Sequence, residues 1–427
     1  MVESLVTTSK IQELQRKLYL KAKSEPKLRF YALYDKTYRE DVLIQAWQKV
    51  RSKRGAPGID GQSIEDVERA GVEEFLKKIQ EELKTETYKP QPARRVEIPK
   101  TGGGTRTLGI PTVRDRVVQQ ALKLIIEPIF EADFEDSSYG YRPKRSTQQA
   151  AEEVCKYLNY GLTQVIDADI EDCFGTIPHK ELLEMIARRI VDGKVMRLIK
   201  LLLEAGVMKD GVVENDDTGT PQGGVISPLF ANIYLDRIDK GWKPLTKFAR
   251  IIRYADDLII MTKYDIDKRL EKLQKLTGEL KLSLSKKKTR IVNAEKESFD
   301  FLGYSFKKAL NKTGTKKAAY YWPSEKSIKK IKAKVKAITN PAKPVEVKQV
   351  VEELTPVLRG WVNNFRTGNS SKKFGIVKRY AASRVRKFMS RRRDKAGYNY
   401  KEYTDEFLYS ELGLYNDYKI RWMKTLR

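Results

Sequence analysis

Cysteine and histidine are almost missing from this chain: its 427 residues include only Cys155, Cys173 and His179. That scarcity excludes a disulfide framework, a zinc finger, and any mechanism built on a histidine pair or several thiolate ligands. It also points to a reducing, intracellular setting, and a cytoplasmic location is expected. Long apolar runs are missing too. No stretch approaches the ~18 apolar residues of a membrane span. The opening MVESLVTTSK has neither the basic flank nor the apolar stretch of a secretory signal, so no membrane partner is expected. Acidic charge is short relative to basic, with 57 Asp and Glu against 84 Lys and Arg, a formal +27. An intracellular chain this basic is expected to meet a polyanion, with nucleic acid the first choice. The surplus is uneven. From Pro323 to Arg427 there are 26 Lys and Arg against 10 Asp and Glu, so these 105 residues carry +16 and the preceding 322 carry +11. A catalytic body followed by a nucleic-acid grip is the expectation.

Periodicity divides the body into alternating helices and strands. Residues 10 to 50 read mainly as helix, and RGAPGIDG (Arg54 to Gly61) is turn chemistry, with three glycines and a proline in eight residues. A helix is expected around Val67 to Leu83, then a hairpin, ARRVEIPK and TRTLGIP, whose tip holds Gly102, Gly103 and Gly104. Residues 113 to 131 return to helix. TQVIDADI is a short buried-type strand. Ser227-Pro228 reads as an N-cap followed by proline in the first turn. RIIRY and LIIMT, separated only by Ala255, Asp256 and Asp257, read as a second hairpin. From Glu325 to about Arg393 the chain is helical apart from proline breaks. The class is α+β with an α-helical basic tail.

Two acidic clusters lie at strand ends: Asp167 and Asp169, and the Asp256–Asp257 pair. Carboxylates beside apolar strands are costly unless a cation neutralises them, and Mg²⁺ suits oxygen ligands and a phosphate substrate. A polar hairpin turn explains YADD alone equally well. The neighbours tip the balance. GTPQGGVISPL places three glycines and two prolines around Gln222, where backbone can approach a nucleotide closely. The order is a strand ending in Asp169, then TPQGG, the YADD hairpin, the lysine-rich KKKT and FLGY.

That order resembles the reverse transcriptases encoded by group II introns, the intron maturases, over nearly the whole chain. RGAPGIDG resembles the family's N-terminal extension motif, and RRVEIPK…GGTRTLGIPTVRDRVVQQAL its fingers. SSYGYRPKRS, VIDADIEDCF, GTPQGGVISPLFANIYL, RYADDL and FLGY match successive palm blocks, and RGWVNNF the thumb, or domain X. The resemblance implies a right-hand polymerase: an N-terminal extension (1–62), fingers and palm (63–315), an α-helical thumb (316–395), and a C-terminal segment (396–427) for which DNA is a candidate partner.

It further implies an RNA-directed DNA polymerase that adds dNTPs to a primer 3′-hydroxyl by a two-metal mechanism. Intron RNA, an RNA template with a DNA or RNA primer, and target DNA are the implied partners, within a nucleoid-associated ribonucleoprotein that assists splicing and mobility. Asp169 and Asp256 would hold two Mg²⁺ ions, with Mn²⁺ as a substitute, Asp257 beside them and the Ile170 carbonyl as a further ligand. Asp167 is expected to be structural. Lys100 and Arg106 flank the glycine tip and suit triphosphate oxygens, since Arg binds phosphate bidentately and Lys as a point charge. Phe174 stands where the family places a steric gate against a ribose 2′-hydroxyl, and Gln222 beside the incoming nucleotide. Lys288 is the candidate general acid, with Lys286 and Lys287 as neighbours. Arg142 either contacts template or braces the fingers. In the tail, Lys329 and Lys330, then Arg384, Arg391, Arg392 and Arg393, lie outside apolar stripes and are expected to grip phosphates.

Gly175, Ser285 and Asn364 depart from the family's usual Asp, Asn and Tyr. The H-N-H endonuclease found in many members is expected to be absent, because no cysteine follows Cys173 and no histidine follows His179. Two other readings share these residues: a host-adapted or defence-associated reverse transcriptase without an intron, and an RNA-binding splicing factor with a dispensable polymerase.

Overall fold

A computed structural model describes residues 2–99, 105–209, 212–214, 217–220, 222–311, 313–392 and 397–421. Its centre is an antiparallel sheet ordered β6-β7-β3-β8, made of β3 (Gln164–Asp169), β6 (Ala249–Tyr254), β7 (Asp257–Thr262) and β8 (Arg290–Asn293). Period-2 alternation puts these apolar side chains on two faces, and both are covered. Ile166, Ala168, Ile251, Leu258 and Ile260 join one core, while Val165, Ile252, Ile259, Met261 and Val292 join the other. Strands buried on both sides read as near-continuous apolar runs, as LIIMT does, while RIIRY admits the fully buried Arg253.

Of the helices that precede β3, all but the last pack into the first core; the last sends Ala150, Ala151, Val154 and Leu158 into the second. Helices α1 (Val2–Ser24), α2 (Tyr34–Thr37), α3 (Glu40–Arg51), α4 (Ile64–Ala70) and α5 (Val72–Lys84) lead to strands β1 (Ala93–Pro99) and β2 (Thr105–Ile110), then α6 (Val113–Glu131) and α7 (Thr147–Asn159). The expected helix over 67–83 is divided at Gly71, whose φ of +108° cannot continue a helical turn. Both α1 and α3 pack on α6, which is buried on most of its surface, the polar Asp115, Arg116 and Gln119 included. After β3 come α8 (Cys173–Thr176), α9 (His179–Ala187), α10 (Gly193–Glu204), β4 (Val207–Lys209) and β5 (Val212–Glu214). These last strands complete a fingers sheet, β2-β1-β4-β5. Helix α11 (Ser227–Trp242) then runs beneath the palm. Ser227 is not its cap: the N-cap is Ile226, and Ser227 is buried in the first turn with no capping bond.

The second core joins palm to thumb. Helix α12 (Ile266–Glu279) precedes β8, and a small sheet of β9 (Phe299–Phe301), β10 (Tyr304–Leu310) and β11 (Lys317–Pro323) carries stacked Phe299, Phe306 and Tyr321 rings. Helices α13 (Glu325–Ile338), α14 (Val347–Phe365) and α15 (Ser371–Arg392) follow, with Ile328, Ile331, Val335, Phe374, Val377 and Val385 facing inward. Residues 397–421 fold back onto this bundle. Leu408, Leu414 and Tyr415 are buried, Arg366 donates to Asp417 and the Tyr415 hydroxyl, and Arg386 donates to Asp405 and the Tyr403 carbonyl.

Candidate active site

The β6–β7 hairpin is tighter than its sequence suggests. Tyr254 pairs with Asp257, so the turn is Ala255 and Asp256 alone, and Asp257 already belongs to β7. Ala255 takes a φ of +59°, an uncommon left-handed conformation for a residue with a Cβ. Three things hold it there. Gly140 lies so close that a Cβ on it would overlap the Ala255 backbone. Asn232 donates to the Gly140 carbonyl at 2.8 Å. The fully buried Arg253 engages every donor of its guanidinium: both Asp239 oxygens (2.9 and 2.7 Å to Oδ2), Asn232 Oδ1 (2.9 Å), Ser138 Oγ (2.7 Å) and the Ala255 carbonyl (3.1 Å). A buried charge persists only when paired and saturated with hydrogen bonds in this way. Sequence reasoning passed over Arg253, Asp239 and Asn232. The signal was a cation set directly after Ile251 and Ile252 and before Tyr254 in a buried-type strand.

Strand register then brings the acidic groups together. Asp169 at the end of β3 lies opposite Asp257, and the Ile170 amide donates to the Asp256 carbonyl at 3.4 Å. Asp257 reaches solvent, yet desolvation by the protein packed around it, then the Asp256, Asp169 and Asp167 carboxylates, push its carboxyl up to about 7. Lys288 Nζ meets Asp169 Oδ2 at 2.7 Å, and that bond raises the ammonium's pKa. Lys288 is therefore the lysine of the KKKT run aimed at the carboxylates. Its segment is tied to the strand by the Ser285 amide, which donates to the Asp169 carbonyl at 2.8 Å, while Lys288 and Thr289 amides return to the Ser285 carbonyl. Asp167 is held apart by Arg290 at 2.9 Å. Burial pushes the Cys173 thiol up to about 12, so it is no nucleophile.

Loops close the site from the far side. The Thr220 amide donates to the Phe174 carbonyl, and the Gly109 amide to the Gln222 carbonyl, linking TPQGG to both palm and fingers. His179, the single histidine, bonds through Nε2 to the Gly219 carbonyl at 2.6 Å and braces the same loop. Gln222 Nε2 donates to Asp172 Oδ1 at 3.2 Å. The Asp172 carboxylate also occupies the space that a Cβ at 175 would need, which accounts for Gly175. Phe174 is only 7% exposed and packs into the first core, so any gate is its edge rather than a free ring.

Other expected contacts are placed differently. Arg142 is a brace and not a template contact: it is 7% exposed, forks onto Glu131, and donates to the Glu135 and Ser138 carbonyls. Arg384 is tied to Thr339 at the end of α13, through Oγ1 at 3.0 Å and the carbonyl at 3.1 Å, where a cation suits the helix dipole. Arg392 donates to the Val345 carbonyl beside the Phe388 ring. Lys329, Lys330 and Arg391 are exposed. Lys100 and Arg393 lie outside the described residues, and Arg106 is described only as backbone in β2. Asn364 joins thumb to palm, accepting from Thr147 Oγ1 at 3.1 Å and, through its carbonyl, from the Tyr304 hydroxyl.

Among the described residues no group of three or more His, Cys, Asp or Glu side chains is disposed as a metal cage. Mg²⁺ in a phosphate-transfer site needs less, because one or two carboxylates suffice when substrate phosphates and waters complete the shell. The donor set fits that case. Asp169 already attracts a cation, Asp257 is raised by desolvation and then by the carboxylates around it, and the Ile170–Leu284 bridge is bonded through Asp169 and Glu171, leaving the Ile170 carbonyl outside it.

Residues 98–306 match the family model for reverse transcriptase (RNA-dependent DNA polymerase), and residues 328–407 match that for the group II intron maturase-specific domain. The Escherichia coli K12 protein YkfC is 34% identical over 362 residues, 74% of this chain and 93% of that protein. This chain belongs to the group II intron-encoded reverse transcriptases. As a member of that family it is an RNA-directed DNA polymerase with a maturase domain in the thumb. The intron-encoded protein LtrA of Lactococcus lactis subsp. cremoris is 40% identical over 214 residues, 49% of this chain but about a third (35%) of LtrA. Telomerase from Candida albicans, in complex with a fragment of telomeric RNA, overlays loosely at a TM-score of 0.43 and 15% identity, covering 80% of this chain and 67% of that one.

Proposed function

We propose that this reverse transcriptase copies an RNA template by adding dNTPs to a primer 3′-hydroxyl, and that it binds its intron RNA to assist splicing and mobility into target DNA. The observation that carries the polymerase reading is the convergence of Asp169, Asp256 and Asp257 at the abutting ends of β3, β6 and β7, with Lys288 on Asp169. Asp169, Asp256 and the Ile170 carbonyl would hold two Mg²⁺ ions, which when bound lower the pKa of the 3′-hydroxyl and neutralise the triphosphate. The remaining work falls to the chain. Lys288 exchanges Asp169 for the pyrophosphate and supplies its proton. Lys100 and Arg106 draw the triphosphate inward from the fingers hairpin. Gln222 lies by the incoming base, and the Phe174 edge crowds a 2′-hydroxyl.

Primer extension on an RNA template, with dNTPs beside NTPs, tests this reading. DNA synthesis is expected from dNTPs and almost none from NTPs. Phe174→Ala should narrow that preference while dNTP use persists, and an unaltered ratio would make Phe174 core alone. Absence of any extension by the wild-type protein would leave only the RNA-binding role.

A further inference from the structure

The end of the β6–β7 hairpin remote from the carboxylates carries an exposed aromatic group ringed by cations. Tyr160, Phe248 and Tyr264 are 62%, 63% and 75% exposed, on the end of α7, the entry to β6 and the exit from β7. Together with Lys247, Lys263 and Arg269 they line a cleft of about 400 Å³ in which Asp265 is the one carboxylate. The platform is built rather than incidental. Ala249 pairs with Thr262, setting Phe248 beside Lys263, and the one Thr262 hydroxyl proton is shared between the Tyr264 carbonyl (2.8 Å) and the Phe248 carbonyl (3.1 Å). Arg250 lies over the Tyr157 ring at 5.3 Å, and that ring is 6.3 Å from Tyr160. Arg269 Nε is buried at this cleft with no hydrogen-bond partner from the protein.

Three large rings are costly to leave in water, and the usual reason to surround them with unpaired cations is a ligand with flat faces and a charged backbone. We infer that this cleft is a second nucleic-acid site, which stacks unpaired bases of RNA on Phe248, Tyr264 and Tyr160 while Lys247, Lys263 and Arg269 meet the phosphates. Six strand residues separate it from the catalytic turn, roughly 20 Å at the strand rise. It therefore holds RNA that is not in the templating duplex. The choice of RNA over DNA rests on the function proposed above; the stacking and the charge do not depend on it.

The test compares binding of a hairpin RNA with and without an unpaired uridine tail, and of the same hairpin with a thymidine DNA tail. The uridine tail should tighten binding to the wild-type protein, and Phe248→Ala with Tyr264→Ala should remove about tenfold of that gain. Lys247→Gln with Lys263→Gln should flatten the salt dependence of the tailed complex by about 1.4 in the log–log slope, at roughly 0.7 per single-strand phosphate. A photoreactive uridine in the tail should crosslink to peptides containing Phe248 or Tyr264. All these residues are exposed, so melting temperature and primer extension on a short template should not change. A tail gain untouched by the substitutions, or crosslinks confined to the thumb, overturns the site. A gain for the DNA tail but none for RNA overturns the assignment to RNA. If wild-type primer extension fails while the tail gain persists, the polymerase reading falls and this site stands.

Discussion

The two ends of one hairpin, β6–β7, are opposites. At one end Ala255 and Asp256 make a turn that is acidic, conformationally strained and locked from behind by Arg253, Gly140 and Asn232. At the other, Phe248 and Tyr264 spread exposed rings among lysines, with only Thr262 tying them together. The strands between are largely buried. A rigid, two-face-buried ribbon can thus hold repelling carboxylates in register at one end and leave the other open to a flexible ligand. Placing charge where it costs most demands pre-organisation, whereas stacking bases needs only access.

Asp256→Ala tests the acidic end most severely. Primer extension should fall by about a thousandfold or more, since a misplaced metal loses both activation of the nucleophile and charge stabilisation, while binding of intron-like RNA persists. Near-normal extension would move the active site elsewhere. Arg253→Leu breaks the middle. It leaves the fully buried Asp239 without its partner, so urea denaturation should show a loss of about 3–5 kcal/mol, and the far end should still bind the uridine tail at temperatures where the protein is folded. Lys288→Met should lower the maximal rate by about a hundredfold, with a smaller change in nucleotide affinity, as expected for a lost general acid. The same change at Lys286 should have little effect, because only Lys288 reaches Asp169. The paired Phe248→Ala and Tyr264→Ala substitutions complete the contrast, with short-template extension staying within about twofold of wild type if the patch plays no part in chemistry.

Much of the candidate site was legible because its residues are adjacent in the sequence to strong local signals. Asp169 ends an apolar strand, Asp256 and Asp257 interrupt two apolar strands, and TPQGG cannot be regular structure. Arg142 was not legible. An arginine in a glycine- and proline-bearing loop looks available to phosphate, and only the positions of Glu131 and the Glu135 and Ser138 carbonyls make it an internal brace. Arg384 failed for a related reason: helical periodicity places it outside the apolar stripe of α15, but the end of α13 is there to meet it. The basic face of the tail is accordingly narrower than its lysine and arginine count implies. The remote aromatic cleft left no trace either, since Tyr160, Phe248 and Tyr264 come from three separated segments.

What the sequence determined by itself was the alternation of apolar strands and helices, the excess of basic charge in the tail, and the identity and order of the acidic groups, because these follow from local composition and short spacing. Tertiary structure alone decided which lysine of three meets Asp169, why glycine occupies 175 beneath the Asp172 carboxylate, and which arginines face solvent. The Gly175–Asp172 approach is local but set by the turn's conformation, whereas the others depend on atoms brought within a few ångströms from far along the chain, as Arg253 is by Asp239, Asn232 and Ser138. Strand register and core packing set those approaches, and neither is written at any one position.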